Sequence, residues 1–156
     1  LLGGLLKSAG IKPIADIPIK GKHMIKDCKL WGEKYNINFK FNSYFPIQTL
    51  NLMRCTLIAE RKKFLQNFTN KVFDAIWQDG LNLNDNAIFE KLLKNMDINP
   101  ETFLKDSIDE KNKNDLKKRT NDAYNKGIFG VPTFVINNKI FWGQDRLEFV
   151  LIEAKK

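Results

Sequence analysis

The sequence predicts an α/β chain that is mostly helical and ends in a β-hairpin followed by a helix. Apolar residues recur at intervals of three and four through most of the 156 residues, which is the period of amphipathic helices. Only residues 133–142 place two short β-branched and aromatic runs on either side of a tight polar turn. Because a two-stranded hairpin is marginal by itself, we expect further strands of its sheet to precede Leu1.

The N-terminal part is predicted to hold one clear helix between irregular segments. Residues 1–9 suit a single helical turn, and two prolines predict an extended stretch over Ile11–Ile19. A helix is predicted from Lys20, then a weak strand over Asn36–Phe41, and Pro46 suits the first position of the next helix. The inward stripe of the helix from Lys20 is formed by Met24, Cys28, Trp31 and Tyr35.

A block of helices follows, and its limits are marked by capping residues. Gly80 closes one helix, Asp85 caps the next, and Asn99 precedes a proline at a helix start. A long charged helix over Asp109–Lys126 ends at Gly127, a residue suited to a helix C-terminus.

The predicted hairpin consists of Thr133–Ile136 and Ile140–Trp142. Its turn lies at Asn137-Asn138 or one residue later, because Asn tolerates the positive φ angles of tight hairpin turns. The last helix is predicted to begin at Asp145, with Glu148 completing a capping box.

Composition and charge exclude several classes of function. An apolar fraction of 43% is enough for a packed core, and no apolar run approaches the roughly 20 residues that span a bilayer, so we expect a soluble protein without a membrane partner. The net charge is +8. A solvated lysine surface and a field that attracts small anionic ligands both explain this charge. No motif of nucleic-acid recognition accompanies it, so no nucleic-acid partner is predicted.

The two cysteines, Cys28 and Cys55, form no CxxC pattern and lie on the apolar sides of predicted helices. We interpret them as buried small hydrophobes in a reducing compartment, and expect a cytoplasmic protein. The first ten residues lack the basic segment and cleavage site of a signal peptide. They also lack an initiator Met, which suggests that the chain begins inside a longer protein.

The motif GVPTFVINNK at residues 130–139, followed by WGQDR at residues 142–146, resembles the C-terminal half of a DsbA-like thioredoxin fold. More narrowly, the chain resembles 2-hydroxychromene-2-carboxylate isomerases and kappa-class glutathione transferases. The resemblance extends along the chain through LLGGLLKSAG, IPIKGKHMIKD, FPIQTLNLMR, GIFGVPTF and FWGQDR. It implies a thioredoxin-like fold with a large inserted all-helical domain. The implied division is a partial thioredoxin-like domain at 1–46, the helical domain at 47–127, and the C-terminal hairpin and helix at 128–156.

The resemblance also implies a function. The protein would be a glutathione-dependent isomerase that acts on a small, anionic aromatic or unsaturated carboxylate, and we expect a homodimer. A β-α-β unit would lie before Leu1 and carry the serine that contacts the glutathione sulfur. Ser8, Ser43 and Ser107 lie in the wrong segments to replace it, so no catalytic residue and no metal ligand is assigned within this chain.

Glutathione is expected to bind at the hairpin. By resemblance, the Val131-Pro132 bond is cis and exposes the backbone of Val131, which pairs with the thiol peptide as an added strand does. The γ-glutamyl carboxylate would meet N–H groups at the following helix start, and the Asp145 carboxylate would meet its ammonium group. A structural alternative for Asp145 is a simple helix cap. The expected contacts are Val131, Pro132, Trp142, Gly143, Gln144 and Asp145.

The substrate side is predicted from the segment before the first inserted helix. Tyr44 offers a ring and a hydroxyl group, and Arg54 could meet a carboxylate. Core packing of Tyr44 and a surface ion pair of Arg54 are equally good explanations. Lys20 and Lys22 could contact an anion, although solvated side chains are the simpler interpretation.

Two other functions remain open. The same hairpin would serve a DsbA-like thiol-disulfide oxidoreductase whose CxxC precedes Leu1, although WGQDR argues against it. A non-catalytic binding fragment is the other alternative.

Overall fold

The computed structural model describes residues 1–156 and confirms a mostly helical chain with one C-terminal two-stranded sheet. No helix is long and apolar enough to cross a membrane. The elements are α1 (Leu2–Ser8), α2 (Pro18–Lys34), α3 (Leu50–Arg61), α4 (Leu65–Trp77), α5 (Asn86–Lys94), α6 (Pro100–Ser107), α7 (Glu110–Asn125), β1 (Thr133–Ile136), β2 (Lys139–Trp142) and α8 (Leu147–Ala154), with short 3₁₀ helices at Ile14–Asp16 and Gln144–Arg146.

The residues group into two compact units. The first unit contains residues 1–13 and 117–156, and the second contains residues 14–116. The domain boundaries predicted at residues 46 and 127 are not the boundaries of these two units, and they stay a prediction.

The core of the second unit lies among α3, α4, α5 and α6. Phe68 and Phe103 are each 1% exposed, and their rings meet edge to face at a centroid distance of 5.7 Å. Burial of such side chains is the main source of stability in a domain of this size. The further buried members of this cluster are Leu52, Cys55, Ile58, Ala59, Val72, Ala75, Ile76, Leu83, Phe89 and Leu93.

The predicted caps of two of these helices are confirmed. The Asp85 carboxylate accepts hydrogen bonds from the N–H groups of Ala87 and Ile88 at the start of α5. The Asn99 side chain accepts one from Thr102 at the start of α6, where Pro100 occupies the first helical position. Each side chain thus satisfies donors that an isolated helix leaves free.

The segment between α2 and α3 is irregular, so the predicted strand over Asn36–Phe41 is wrong. Its alternation has another cause, because Phe39 and Phe41 both pack against Trp77, with centroid distances of 5.9 and 6.3 Å. The fully buried Asn42 side chain holds this segment by donating to the carbonyls of Ile76 and Leu81, both at 2.9 Å.

Two predicted helix starts are also wrong. The α2 helix begins at Pro18 and not at Lys20, because proline is compatible with the first helical turn. The predicted extended stretch over Ile11–Ile19 is also wrong beyond Pro13, since Ile14–Asp16 form a 3₁₀ helix. The α3 helix begins at Leu50 and not at Pro46. Two X–Pro bonds are cis, at Phe45-Pro46 and Val131-Pro132.

A second buried asparagine joins the start of α7 to two helices of the second unit. Asn112, on α7, is 2% exposed and donates to the carbonyl of Ser107 on α6 at 2.9 Å and of Arg54 on α3 at 3.2 Å. Its own amide oxygen accepts a hydrogen bond from Arg61. Because buried carbonyls need partners, this side chain holds the first turn of α7 against α3 and α6.

The hairpin of the first unit has the predicted form. Thr133 pairs with Trp142 and Ile136 with Lys139 in an antiparallel register, and Asn137 and Asn138 have φ angles of 48° and 62° in the turn. The turn is attached to α8 by Glu153, whose nearly buried carboxylate accepts from Lys139 at 2.9 Å and Asn137 at 3.4 Å. Lys156 also donates to this carboxylate, at 3.0 Å.

We expect Asn112→Ala to lower the free energy of unfolding by about 2–3 kcal/mol, because it removes hydrogen bonds to the Arg54 and Ser107 carbonyls and leaves the Ser107 carbonyl, at the end of α6, without a donor. Urea unfolding measures the change. Asn114→Ala is the matched control, since Asn114 lies two residues away on the same helix and is exposed. Equal effects of the two substitutions would contradict the role given to Asn112.

Glu153 predicts a dependence of stability on pH. Hydrogen bonds from Lys139, and then from Lys156, lower the pKa of this carboxyl from 4.5 to about 2. A depressed pKa means that the stabilisation is complete above the ordinary value and is lost as the pH falls through about 2. Glu153→Gln should therefore lower the Tm at neutral pH, and this difference should shrink progressively below pH 4.5. Glu148→Gln, an exposed carboxylate on the same helix, should show no such convergence.

Candidate functional site

The segment directly before β1 contains backbone groups that have no hydrogen-bond partner within the chain. Val131 is 55% exposed, and neither its N–H nor its C=O has a hydrogen-bond partner in the chain. The residues on either side are held, because the Thr133 hydroxyl donates to the Gly130 carbonyl at 2.6 Å and the Gly143 N–H donates to the Pro132 carbonyl at 3.0 Å. An extended peptide could pair with Val131 without displacing an internal bond.

An aromatic wall lies beside this edge. The rings of Trp142 and Phe129 are 5.1 Å apart, and Trp142 remains 49% exposed. The indole packs so closely on Gly130 that a Cβ atom there would lie 2.8 Å from its Nε1 atom. Phe129 and Gly130 were not among the predicted contacts, and the motif GIFGVPTF was the signal in which they could have been found.

The turn after β2 differs from the prediction. Asp145 does not cap a helix, because residues Gln144–Arg146 form a 3₁₀ turn and α8 begins only at Leu147, with no side-chain cap at either start. The predicted capping box of Asp145 and Glu148 is therefore wrong. The carboxylate instead turns back over Gly143, where a Cβ atom would lie 2.5 Å from its Oδ1 atom.

This turn has the features of a small anion and ammonium site. Gly143 has φ +117°, and the N–H groups of Gln144 and Asp145 have no partner in the chain. The one ion pair of the Asp145 carboxylate is with Arg146, at 3.1 Å, and both side chains are half exposed. An ion pair so exposed is weak, so a ligand could compete for either member.

The two predicted substrate contacts belong to the other unit, residues 14–116. Tyr44 is 52% exposed, so core packing does not explain it, and its N–H donates to the Asn42 side chain at 2.8 Å. Arg54 forms no ion pair within the chain, and its Nε atom is buried without a partner. Neither residue is therefore accounted for by the structural alternative given from the sequence.

Neither cysteine has the character of a nucleophile. Burial raises the pKa of the fully buried Cys55 to about 12, and burial together with Asp27 raises the pKa of the partly exposed Cys28. A reactive cysteine requires the opposite shift. No group of three or more His, Cys, Asp or Glu side chains is placed to hold a metal ion.

Comparisons with known proteins point to one family. The model of the DsbA-like thioredoxin domain matches residues 1–153. The chain is 24% identical over 131 residues to a 2-hydroxychromene-2-carboxylate isomerase of Sphingobium xenophagum, covering 84% of this chain and 66% of that protein. It is 25% identical over 164 residues to glutathione S-transferase kappa 1 of Rattus norvegicus, covering 96% of this chain and 73% of that protein.

A solved structure of a 2-hydroxychromene-2-carboxylate isomerase superimposes with a TM-score of 0.86 at 20% identity, over 99% of this chain and 76% of that one. Together with the family model, this likeness confirms the predicted DsbA-like thioredoxin fold. The chain spans just under two thirds of the length of the isomerase from Sphingobium xenophagum.

We expect Gly143→Ala to destabilise the protein by about 2 kcal/mol, because its φ of +117° disfavours any side chain and the new methyl group would meet the Asp145 carboxylate. Chemical denaturation measures the change. Gly3→Ala is the matched control, because Gly3 lies within α1 with nothing near its missing Cβ, and this substitution should be neutral or stabilising. A neutral Gly143→Ala would show that the turn is not constrained as described.

Proposed function

The chain belongs to the DsbA-like thioredoxin-domain family, and we propose that its protein is a glutathione-dependent isomerase of the 2-hydroxychromene-2-carboxylate type, acting on a small aromatic or unsaturated carboxylate. One observation supports this most directly. The hydrogen bond from Gly143 to Pro132 joins the free backbone of Val131 to the free N–H groups of Gln144 and Asp145. Two sets of free backbone groups thus lie next to each other, as the binding of one extended, charged peptide would require.

In this proposal each half-site binds a different part of glutathione. The cysteinyl backbone pairs with the N–H and C=O groups of Val131 as an added strand. The γ-glutamyl carboxylate accepts hydrogen bonds from the N–H groups of Gln144 and Asp145, and its ammonium group binds the Asp145 carboxylate. Trp142 forms the wall beside the peptide.

Bound glutathione would supply the thiol that adds reversibly to a conjugated double bond of the substrate. The residues of this chain hold and orient the peptide, so that its sulfur approaches from one direction, which removes much of the entropic barrier of a reaction between two molecules. The positive net charge of +8 favours the approach of two anionic ligands.

The substrate contacts of the proposal are Tyr44 and Arg54. The exposed ring and hydroxyl of Tyr44 suit an aromatic substrate with polar substituents. Arg54 suits its carboxylate, since a guanidinium group binds a carboxylate through paired hydrogen bonds and has no competing ion pair here.

We also propose a homodimer in a reducing, cytoplasmic setting. Both cysteines are free, as a reducing compartment requires. The α8 helix exposes large apolar side chains that an interface could cover, namely Leu147, Phe149, Leu151 and Ile152.

A DsbA-like thiol-disulfide oxidoreductase is the alternative function that the family permits. Its reactive CxxC would have to precede Leu1, because Cys55 is fully buried and both thiols of this chain have raised pKa values. Rapid reduction of insulin by the complete protein would favour the oxidoreductase over the isomerase.

Calorimetry with the complete protein tests the contact between Asp145 and the ammonium group. Asp145→Asn should weaken glutathione binding about fivefold to tenfold, because a charge-assisted hydrogen bond is lost at a partly exposed site. Binding of a glutathione analogue that lacks the γ-glutamyl amino group should be unchanged by the same substitution.

Glu148→Gln serves as the control, because Glu148 is an exposed carboxylate only three residues away. It should leave the affinity for both ligands unchanged. If Asp145→Asn weakens the binding of glutathione and of the analogue equally, the proposed contact between Asp145 and the ammonium group is wrong.

A further inference from the structure

The outer face of α2 carries two large apolar side chains that nothing in the chain covers. Ile19 is 79% exposed and Leu30 is 63% exposed, the two highest values among the exposed large hydrophobic residues. They lie 11 residues apart, which is close to three helical turns, so both project on the same side of the helix. Such a pair contributes nothing to the core.

The opposite face of α2 fixes this orientation. Gly32 is buried, and a Cβ atom there would lie 3.0 Å from the Cβ atom of Phe39. Gly21 faces the preceding 3₁₀ helix at an ordinary contact distance, where a Cβ atom would be 3.4 Å from the Ala15 carbonyl oxygen. Because α2 is held by these close approaches, its outer face is a defined part of the surface.

The same helix is strongly basic. It has five lysines against two carboxylates, those of Asp27 and Glu33. None of the five lysines forms an ion pair within the chain. All five are exposed, and they are Lys20, Lys22, Lys26, Lys29 and Lys34.

We propose that the outer face of α2 docks reversibly on an anionic phospholipid surface. Lysines near such a surface are attracted to its headgroups, and the apolar side chains between them insert at the boundary with the acyl chains. Ile19 and Leu30 project from a convex helix face, which suits a deformable lipid surface better than the side of a partner protein, where a helix needs a matching groove. This inference does not rest on the proposed function.

The proposed contact is peripheral, consistent with the lack of a helix that could span a bilayer. It differs from the expectation of no membrane partner, which was drawn from the lengths of apolar runs. It also gives Lys20 and Lys22 a role other than solvation. Two exposed apolar residues are few, so the binding requires the lysines as well and should be weak and sensitive to salt.

Co-sedimentation of the complete protein with vesicles tests the proposal. Binding is expected to vesicles of phosphatidylcholine with phosphatidylserine and not to phosphatidylcholine alone, and it should weaken as salt is added. Ile19→Ser combined with Leu30→Ser should lower the apparent affinity about tenfold, because two inserted apolar side chains are lost. Lys22→Gln combined with Lys26→Gln should also lower the apparent affinity, because two positive charges that attract the anionic headgroups are lost.

Phe73→Ser is the matched control. Phe73 is 59% exposed on α4, a helix with a single lysine and a single aspartate, so its loss should leave vesicle binding unchanged. Equal binding to neutral vesicles, or an unchanged affinity of the Ile19 and Leu30 variant, would overturn the proposal. Binding of polyglutamate that depends on Ile19 and Leu30, without binding to anionic vesicles, would assign this face to an acidic protein instead.

Discussion

The hydrogen bond from the Gly143 N–H to the Pro132 carbonyl is the contact on which the candidate site depends. It extends the hairpin by one bond beyond the pair Thr133 and Trp142, at the open end of a sheet with only four residue pairs. Through it, the exposed backbone of Val131 and the turn that begins at Gly143 are held as one piece. A site built from backbone groups needs this rigidity, because no side-chain rotamer can correct their positions.

Two buried asparagines play a comparable part in the helical unit. Asn42 accepts a hydrogen bond from the backbone N–H of Tyr44, and Asn112 donates to the backbone carbonyl of Arg54. The main chain at both proposed substrate contacts is therefore held from the interior by a buried side chain. Buried polar groups of this kind must be fully hydrogen-bonded, and that requirement makes the local geometry unique.

The helices and the hairpin could be predicted because their signals are local. Apolar periodicity, the caps at Asp85 and Asn99, and the two asparagines of the hairpin turn each act within a few residues. The strand predicted over Asn36–Phe41 is absent. An alternating pattern indicates only which residues are buried, and it does not indicate what buries them. Packing against Trp77 produces the same pattern as a sheet.

Less of the candidate site could be predicted from the sequence. The role proposed for Val131 rests on resemblance to a family, since an exposed backbone group leaves no trace in composition or periodicity. Asp145 was expected to cap a helix, yet the positive φ of Gly143 directs the chain into a 3₁₀ turn and frees the carboxylate. Asn42 and Asn112 were not predicted, because the residue type does not reveal whether an asparagine is buried.

The unequal burial of the two thiols makes the chain its own probe of unfolding. Cys55 has no exposed surface and lies in the cluster that holds α3, α4, α5 and α6 together, whereas Cys28 is partly accessible on α2. A thiol reagent can reach Cys55 only when that cluster opens. The rate at which the second thiol is modified therefore reports the opening of the helical core, without any label or engineered residue.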